Sequence, residues 1–350
     1  AANGKKAFLR IYKDNHVYPY ESQISTALKT LLQEAPMVGF VTGHKERSGM
    51  DMGEKGYGTF ASNKTFRYSL ENSGYGVREI SLEHPVAEDI NIIVLADMRS
   101  NFTEEEFRNF DAYLKRGGNL FILGEPKRQQ FMNPVIERLG LRFADGIIVS
   151  PSEVNLDDLV AANIKEGAAK VSENYIRYFR SGYSIMTPSV CAVEVIDPNK
   201  GFEITEVLAS ASKGSWVEKE TTDFINEKSM LNPAVGEVEK SNSIMLYLTR
   251  PVNNKEQRIF VIGDADCIST LELSQNRPGF RSSNFTLITE TFRNLSYGEF
   301  PVEASRVNPP DDRVLVTRNV IFGIRVVLMW IIPLLFVTGC ITLLIRRKRR

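Results

Sequence analysis

Polar residues of the kinds that bind metals or transfer protons follow several apolar runs of this sequence. The runs "MVGFV", "INIIVLA", "LFIL" and "RIFVI" each end in a short stretch that carries acids, and the first of these stretches also carries a histidine. Ligands bind beyond the carboxyl ends of the strands in open parallel sheets, so residues in such positions converge if the runs are neighbouring strands. The candidate ligand-binding or partner-binding residues are His44, Glu46, Asp97, Glu125, Asp264 and Asp266.

Three interpretations of this set are open. The pair Asp264-x-Asp266, with the other acids and the histidine, could supply oxygen and imidazole ligands to a divalent metal. A carboxylate pair could instead perform general acid–base hydrolysis. Alternatively, the acids cap the helices that follow the strands and meet the positive end of the helix dipole. We favour the structural interpretation, because acid pairs are common and neither His16 nor His84 has the spacing of a second metal ligand.

Nucleophilic and phosphate-binding motifs are missing from the sequence. The run "LFIL" leads into "GEPK", which places Glu125 where a nucleophile elbow would carry serine or cysteine. There is no GxxxxGK[ST] or GxGxxG motif, so any ATPase that works with this protein is another chain. The cysteines form no CxxC pair, and we interpret Cys191 and Cys267 as free buried thiols. The sequence thus predicts no catalytic residue, no metal and no cofactor.

Alternating strands and helices position the candidate residues. Continuous apolar strands indicate a sheet that is covered on both faces, and their alternation with helices predicts a doubly wound, mainly parallel α/β sheet. The clearest helix is "FTEEEFRNFDAYLKRGGN", where Thr103 and Glu106 form a capping box. Helices are also expected in "YESQISTALKTLL", in "NPVIERLGLRF", in "SSNFTLITETFRNLSYGE", and in "SNKTFRYSLENSGY" with Ser62 as N-cap and Gly74 as stop. The glycine-rich stretch 48–60 is interpreted as a mobile connection, with a lid over the site as the alternative.

The strand–helix rhythm changes between residues 151 and 256, where short strands such as "CAVEVI", "FEITEVLAS", "SWVE" and "SIMLYLTR" alternate with long polar loops. The predicted organisation is an N-terminal extended segment and helix (1–36), the first part of the α/β domain (37–150), an irregular α+β insertion (151–256), the return to the α/β domain (257–306), a juxtamembrane linker (307–325), a transmembrane helix (326–345) and a basic cytoplasmic tail (346–350).

The C-terminal stretch "VVLMWIIPLLFVTGCITLLI" has the length and composition of a membrane span. It carries no charge, and about 20 apolar residues cross a hydrocarbon core of ~30 Å. The "RRKRR" that follows predicts a cytoplasmic C-terminus, so the residues before about 318 are expected outside the cytoplasm. The start "AANGKKAFLR" lacks an initiator methionine and an apolar signal core, and is interpreted as the start of a mature or excised piece. Lysine plus arginine equals aspartate plus glutamate at 43 each, so no general attraction to nucleic acid is expected.

Four segments in this order resemble the GldG-like family, which comprises auxiliary components of ABC-type transporters named for gliding motility: "VGFVTGHKE", "LENSGYGVREISL", "INIIVLADMRSNFTEEEFRNFDAYLKRGGNLFILGEP" and "RIFVIGDADCIS". Two departures are visible, since Lys45 stands where the family usually has glycine and Ala265-Asp266-Cys267 stands in place of Ser-Asp-Phe.

The resemblance implies a Rossmann-like or flavodoxin-like (glutamine-amidotransferase-like) domain that lacks the amidotransferase cysteine. It also implies an inner-membrane protein whose periplasmic bulk lies next to an ABC-type permease and its ATPase and assists transport or gliding. The function expected from sequence is therefore a membrane-anchored, extracytoplasmic, non-catalytic accessory subunit. One alternative is an envelope hydrolase, which requires His44, Glu125 and Asp264 to converge in an open pocket. The other is a solute-binding or carbohydrate-binding module. It would have an aromatic cleft with residues such as Trp216, Tyr183 or Tyr57.

Overall fold

The structure is a computed structural model that describes residues 6–14, 16–277, 279–304 and 318–349. The chain divides into two compact units, Ala1–Ala304 and Ser305–Arg350. The first unit contains the sheet with its helices, and the described part of the second is one apolar helical stretch. The predicted proline-stiffened linker 307–313 lies outside the described residues.

The strands of the first unit are short, and most coincide with the apolar runs of the sequence. They are β1 Met37–Val41, β2 Gly76–Ile80, β3 Ile90–Ala96, β4 Asn119–Leu123, β5 Leu141–Phe143, β6 Ile147–Val149, β7 Leu159–Ile164, β8 Ser184–Pro188, β9 Val193–Val195, β10 Glu203–Ala209, β11 Trp216–Glu218, β12 Ser243–Val252 and β13 Lys255–Ile262.

Most of these strands form one mixed sheet, in the order β2-β1-β3-β4-β13-β12-β10-β7-β8. The first five strands in this order are parallel, and the other four continue the sheet in antiparallel pairs. The direction reverses at the β12–β13 hairpin, where Asn253 and Asn254 have φ of 48° and 63°. Two-residue hairpin turns need such left-handed residues, which asparagine tolerates. The strands of segment 151–256 thus extend the sheet that segment 37–150 begins.

Helices cover the sheet or connect its strands. Those of the first unit are α1 Glu21–Leu32, α2 Gly58–Ala61, α3 Glu104–Lys115, α4 Gln129–Ile136, α5 Glu173–Arg180, α6 Thr270–Ser274 and α7 Asn284–Leu295. The capping box of α3 is confirmed, because the Glu106 amide donates to the Thr103 side chain and the Thr103 amide donates to the Glu106 carboxylate.

The hydrophobic core has two parts, one on each face of the sheet. Along β3, for example, Ile92 and Val94 belong to one part and Ile93 and Leu95 to the other. Successive strand side chains point to opposite faces, so an uninterrupted apolar run can be buried along its whole length only when both faces are covered. The predicted two-sided cover of the sheet is confirmed.

One predicted helix is wrong. Residues 62–75 form successive turns, and Ser62 is the C-cap of the short α2 and not an N-cap. The Asn72 side-chain amide donates to the backbone carbonyls of Asn63, Lys64 and Phe66. These carbonyls would accept helical hydrogen bonds, and such local side-chain bonds compete with a helix. The helix expected in "NPVIERLGLRF" is also shorter than predicted, since α4 ends at Ile136 and "LRF" is strand β5.

The second unit contains a helix that is long and apolar enough to cross a membrane, Val320–Lys348. It lies within a helical stretch made of α8 Arg318–Val326, a π-helical part Val327–Ile331 and α9 Ile332–Lys348. Pro333 lies in the first turn of α9. Its missing N–H and its ring disturb regular α-helical bonding, and a π-helical stretch is one way a helix accommodates such a disturbance.

Candidate functional site

The loop after β1 turns back over the carboxyl edge of the sheet. Gly43 has φ of 135° and Lys45 has φ of 61°, both in the left-handed region, and this turn brings Arg47 above the end of β3. There the Arg47 amide donates to the Ala96 carbonyl at 3.1 Å. Left-handed backbone strains a lysine but not a glycine.

The Arg47 side chain lies at the centre of the candidate site. It is only 3% exposed, and it joins carboxylates from the ends of β3, β4 and β13. Its Nε lies 3.4 Å from Asp97 Oδ2, and one terminal nitrogen lies 3.1 Å from Glu125 Oε2. The other terminal nitrogen donates to Asp266. Three of the six candidate residues therefore converge as predicted, but they converge on an arginine that the sequence analysis did not include.

Asp97 is a second centre of the same cluster. Besides Arg47, it accepts a hydrogen bond from Arg99 at 2.8 Å on Oδ2 and from Arg128 at 3.2 Å on Oδ1. Its side chain is 1% exposed and its backbone is left-handed, with φ of 51°. A buried carboxylate needs such partners, because desolvation of an unpaired charge is costly.

The ionisation of Glu125 is perturbed by this environment. Burial raises the pKa of Glu125 to about 7; Arg47 opposes the rise, and the negative charges of Asp266 and Asp97 add to it. Burial by itself would lower the pKa of Arg47, but its acidic surroundings raise the value above normal, so the guanidinium stays charged. At neutral pH the cluster therefore holds a permanent cation beside a carboxyl that is close to its titration midpoint.

Asp264 forms no ion pair with Arg47 and is bound by backbone amides. Its side chain is fully buried, and Oδ1 accepts from the amides of Asp266 at 2.6 Å and Cys267 at 3.2 Å, where a short 3₁₀ helix begins. Its Oδ2 has no hydrogen-bond partner. Burial raises the pKa of Asp264 well above its ordinary value, and the negative charges of Glu125 and Asp266 add to the rise. The structural role that we favoured from sequence describes this residue.

His44 and Glu46 belong to a neighbouring cluster with Glu106 of the α3 capping box. His44 Nδ1 lies 3.4 Å from Glu46 Oε1, and His44 Nε2 lies 3.4 Å from Glu106 Oε2. The other Glu46 oxygen accepts from the His44 amide at 2.6 Å. Burial raises the pKa of Glu46. The convergence of His44 with Glu125 and Asp264 that the hydrolase alternative requires is therefore not present, because His44 lies against Glu106 of α3 and Asp264 is fully buried and bound by backbone amides.

The remaining groups offer little for nucleophilic or metal chemistry. Burial raises the pKa of both Cys191 and Cys267 well above the ordinary thiol value, and both are free thiols, as predicted. No group of three or more His, Cys, Asp or Glu side chains within the described residues could hold a metal ion. Tyr57 and Trp216, proposed as residues lining a binding cleft, are buried. Tyr57 donates to the Ala265 carbonyl at 2.7 Å.

The list of candidate residues omitted four members of these two clusters: Arg47, Arg99, Glu106 and Arg128. A signal for the arginines was available, because three of the candidate acids are each followed within three residues by an arginine, in "GHKER", "ADMR" and "GEPKR". Arginine is the natural partner for a buried carboxylate, so this spacing would have predicted an ion-pair cluster.

The fold and site together define a class of protein: a mixed α/β sheet whose strand ends carry an arginine–carboxylate cluster, with a C-terminal helix able to span a membrane. The chain belongs to the family described as ABC-type uncharacterized transport system, whose model matches residues 35–295. This confirms the expected class of auxiliary transport component and implies association with components of an ABC-type transporter.

Other comparisons add only a likeness of fold. No curated protein sequence matches the chain. The mmIFT52 N-terminal domain is similar over 77% of this chain and 100% of its own, with 15% identity and a TM-score of 0.48. A ThuA-like protein from Bacteroides uniformis ATCC 8492 is similar over 75% of this chain and 93% of its own, with 15% identity and a TM-score of 0.43. At such values neither likeness bears on function.

Proposed function

We propose that this protein is a non-catalytic accessory subunit of a GldG-like, gliding-related ABC-type transport complex. The C-terminal helix anchors it in the inner membrane, and the sheet-containing unit lies in the periplasm beside the permease and ATPase. Its fold is assigned to the Rossmann-like or flavodoxin-like group with an inserted α+β region. The family and the membrane-length helix support this proposal.

The position of Arg47 is the observation that supports a non-catalytic role. Ligands of open α/β sheets bind beyond the carboxyl ends of the strands, where the strand order reverses. The order β2-β1-β3 places that reversal at β1 and β3, and Arg47 follows β1 and pairs with carboxylates that follow β3, β4 and β13. The protein's own side chain therefore occupies the crevice where a substrate would lie.

Co-purification tests the accessory role. The tagged full-length protein, extracted in mild detergent, should retain a permease and an ATPase that mass spectrometry identifies. Recovery of the protein as a lone species under conditions that preserve other ABC complexes would contradict the proposal.

Cysteine labelling tests the orientation. Cys191 and Cys267 are buried, so in a Cys340→Ser background, which removes the exposed cysteine of the apolar helix, a membrane-impermeant maleimide should report on a new cysteine at the exposed Lys213. We expect Lys213→Cys to be labelled in cells with a permeabilised outer membrane and an intact inner membrane. Labelling that requires lysis of the inner membrane would place the sheet in the cytoplasm instead.

One observation favours, as a second candidate, a hydrolase that uses Glu125 without His44 or Asp264. A carboxyl with a pKa of about 7, as Glu125 has, is suited to general acid–base catalysis near neutral pH. If Glu125 is catalytic, purified protein should hydrolyse an envelope glycan or peptide and Glu125→Gln should abolish the activity. Equal turnover by the parent protein and Glu125→Gln would remove this candidate.

A further inference from the structure

Two arginines at the carboxyl edge are fixed in place by one buried carboxylate. Arg99 donates through a terminal nitrogen to Asp97 Oδ2 at 2.8 Å, and Arg128 donates through Nε to Asp97 Oδ1 at 3.2 Å. Asp97 is 1% exposed, whereas the Arg99 and Arg128 side chains are 40% and 29% exposed. Each guanidinium thus has its inner side bound to protein and its outer side in solvent. A guanidinium carries five N–H donors, so both keep capacity for another acceptor.

The charges around Asp97 do not balance locally. Asp97 faces three guanidiniums, those of Arg47, Arg99 and Arg128. Glu125 and Asp266 contact the terminal nitrogens of Arg47. Their negative charges therefore neutralise Arg47 more directly than they neutralise Arg99 and Arg128, called here the outer pair. The outer pair is left with an excess of positive charge at the solvent edge of the cluster.

The backbone next to Arg99 and Arg128 adds to this excess of positive charge. Arg128 is the N-cap of α4, which has no side-chain cap and no acidic residue in its first turn. The unpaired amides and the dipole of a helix N-terminus favour an anion. Lys127, which precedes Arg128, is exposed and has a left-handed backbone with φ of 66°.

We propose that Arg99 and Arg128 form a binding site for the phosphate group of a solute, at the carboxyl edge between β3 and β4. This site goes beyond the accessory role and does not depend on it. A carboxylate is planar and is satisfied by one guanidinium fork, whereas a tetrahedral phosphate presents oxygens to two guanidiniums and to helix amides at once. Asp97 is a positioning residue, because it holds both guanidiniums without reaching the ligand.

Titration calorimetry on the full-length protein in non-ionic detergent tests the site, with inorganic phosphate as the probe at low ionic strength and pH 7. Loss of one charge-assisted interaction should weaken phosphate binding about tenfold or more in Arg99→Gln and in Arg128→Gln. Arg78→Gln is the matched control. Arg78 is 41% exposed and contacts a single carboxylate, Asp89, at 2.6 Å. It lies on β2, away from the pair, and its variant should bind phosphate as the parent does.

Arg99→Lys separates binding from folding. Lysine keeps a positive charge beside Asp97, so this variant should retain the parent's thermal unfolding temperature, yet it lacks the planar fork and should bind phosphate more weakly. The proposal is overturned if the parent protein does not bind phosphate, if Arg78→Gln weakens binding as much as Arg99→Gln, or if succinate binds as tightly as phosphate. Each measurement uses the isolated protein, so failure to assemble with a transporter would leave the result intact.

Discussion

The arginine at the centre of the carboxylate cluster gives the sharpest test of the site's structural role. Arg47→Met replaces a buried guanidinium with an apolar side chain of comparable length and leaves Asp97, Glu125 and Asp266 in place. The parent side chain is 3% exposed and contacts all three carboxylates, so nothing in solvent can replace it.

The expected loss of unfolding free energy in Arg47→Met depends on which partners each carboxylate keeps. Removing one partner of a buried ion pair costs about 3–5 kcal/mol. The loss here should lie near the lower end, because Asp97 keeps Arg99 and Arg128, and because Glu125 can bind a proton near neutral pH. With an unfolding entropy of about 2.1 cal/mol/K per residue, about 3 kcal/mol lowers the unfolding temperature of the unit Ala1–Ala304 by about 5 °C.

Near-ultraviolet circular dichroism during heating measures this change. Trp216 lies in the first unit and Trp330 in the apolar helix, so a Trp330→Phe background restricts the tryptophan signal to the sheet-containing unit. Arg78→Met, which breaks the exposed pair with Asp89, is the control and should cost less than about 1 kcal/mol. The reasoning is refuted if Arg47→Met unfolds within about 1 °C of this control. The loss should shrink at pH 5, where Glu125 is already protonated in the parent.

Three further predictions concern the ionisation and backbone of the site. The pKa of Glu125 is raised to about 7 in the folded state, from about 4.5 in the unfolded chain. The contribution of Glu125 to stability is therefore fully present below pH 4.5 and is lost as the pH rises through 7. The unfolding free energy of Glu125→Gln should therefore rise, relative to that of the parent, by up to about 3 kcal/mol between pH 4 and pH 8. Parallel plots of unfolding free energy against pH for the two proteins would contradict this. Asp264→Asn should change the unfolding free energy by less than about 1 kcal/mol at pH 7, because the amide oxygen can still accept from the Asp266 and Cys267 amides. Asp264→Ala, which removes this acceptor, should lower the unfolding free energy by about 2 kcal/mol. Similar losses in both variants would show that the carboxyl is needed as a charge. Lys45→Gly should raise stability by about 1 kcal/mol by relieving the left-handed backbone, whereas Lys45→Ala should not, and a gain in both would assign the effect to the side chain.

Local patterns in the sequence were sufficient to predict the strands and the best-defined helix. The run 90–96 is apolar throughout and is buried on both faces as β3, and the spacing of Thr103 and Glu106 predicts the capping box that begins α3. Such signals succeed because the interactions behind them span only a few residues. The predicted helix at 62–75 rested on the end signals Ser62 and Gly74, and it fails because Asn72 binds the carbonyls that a helix would use.

The position of the acids at the strand ends was also set by the sequence, since an apolar strand followed by a charged residue must place that residue at the edge of a covered sheet. The partner of these acids was decided by the tertiary structure. Asp266 is separated from Arg47 by 219 residues, and the two meet only because β13 inserts beside β4 and the loop after β1 folds back over β3. Electrostatic pairing depends on distance in space and on burial, and neither can be read from spacing along the chain. The sequence therefore determined which groups could form a site, and the order of the strands decided that those after β3, β4 and β13 bind an arginine.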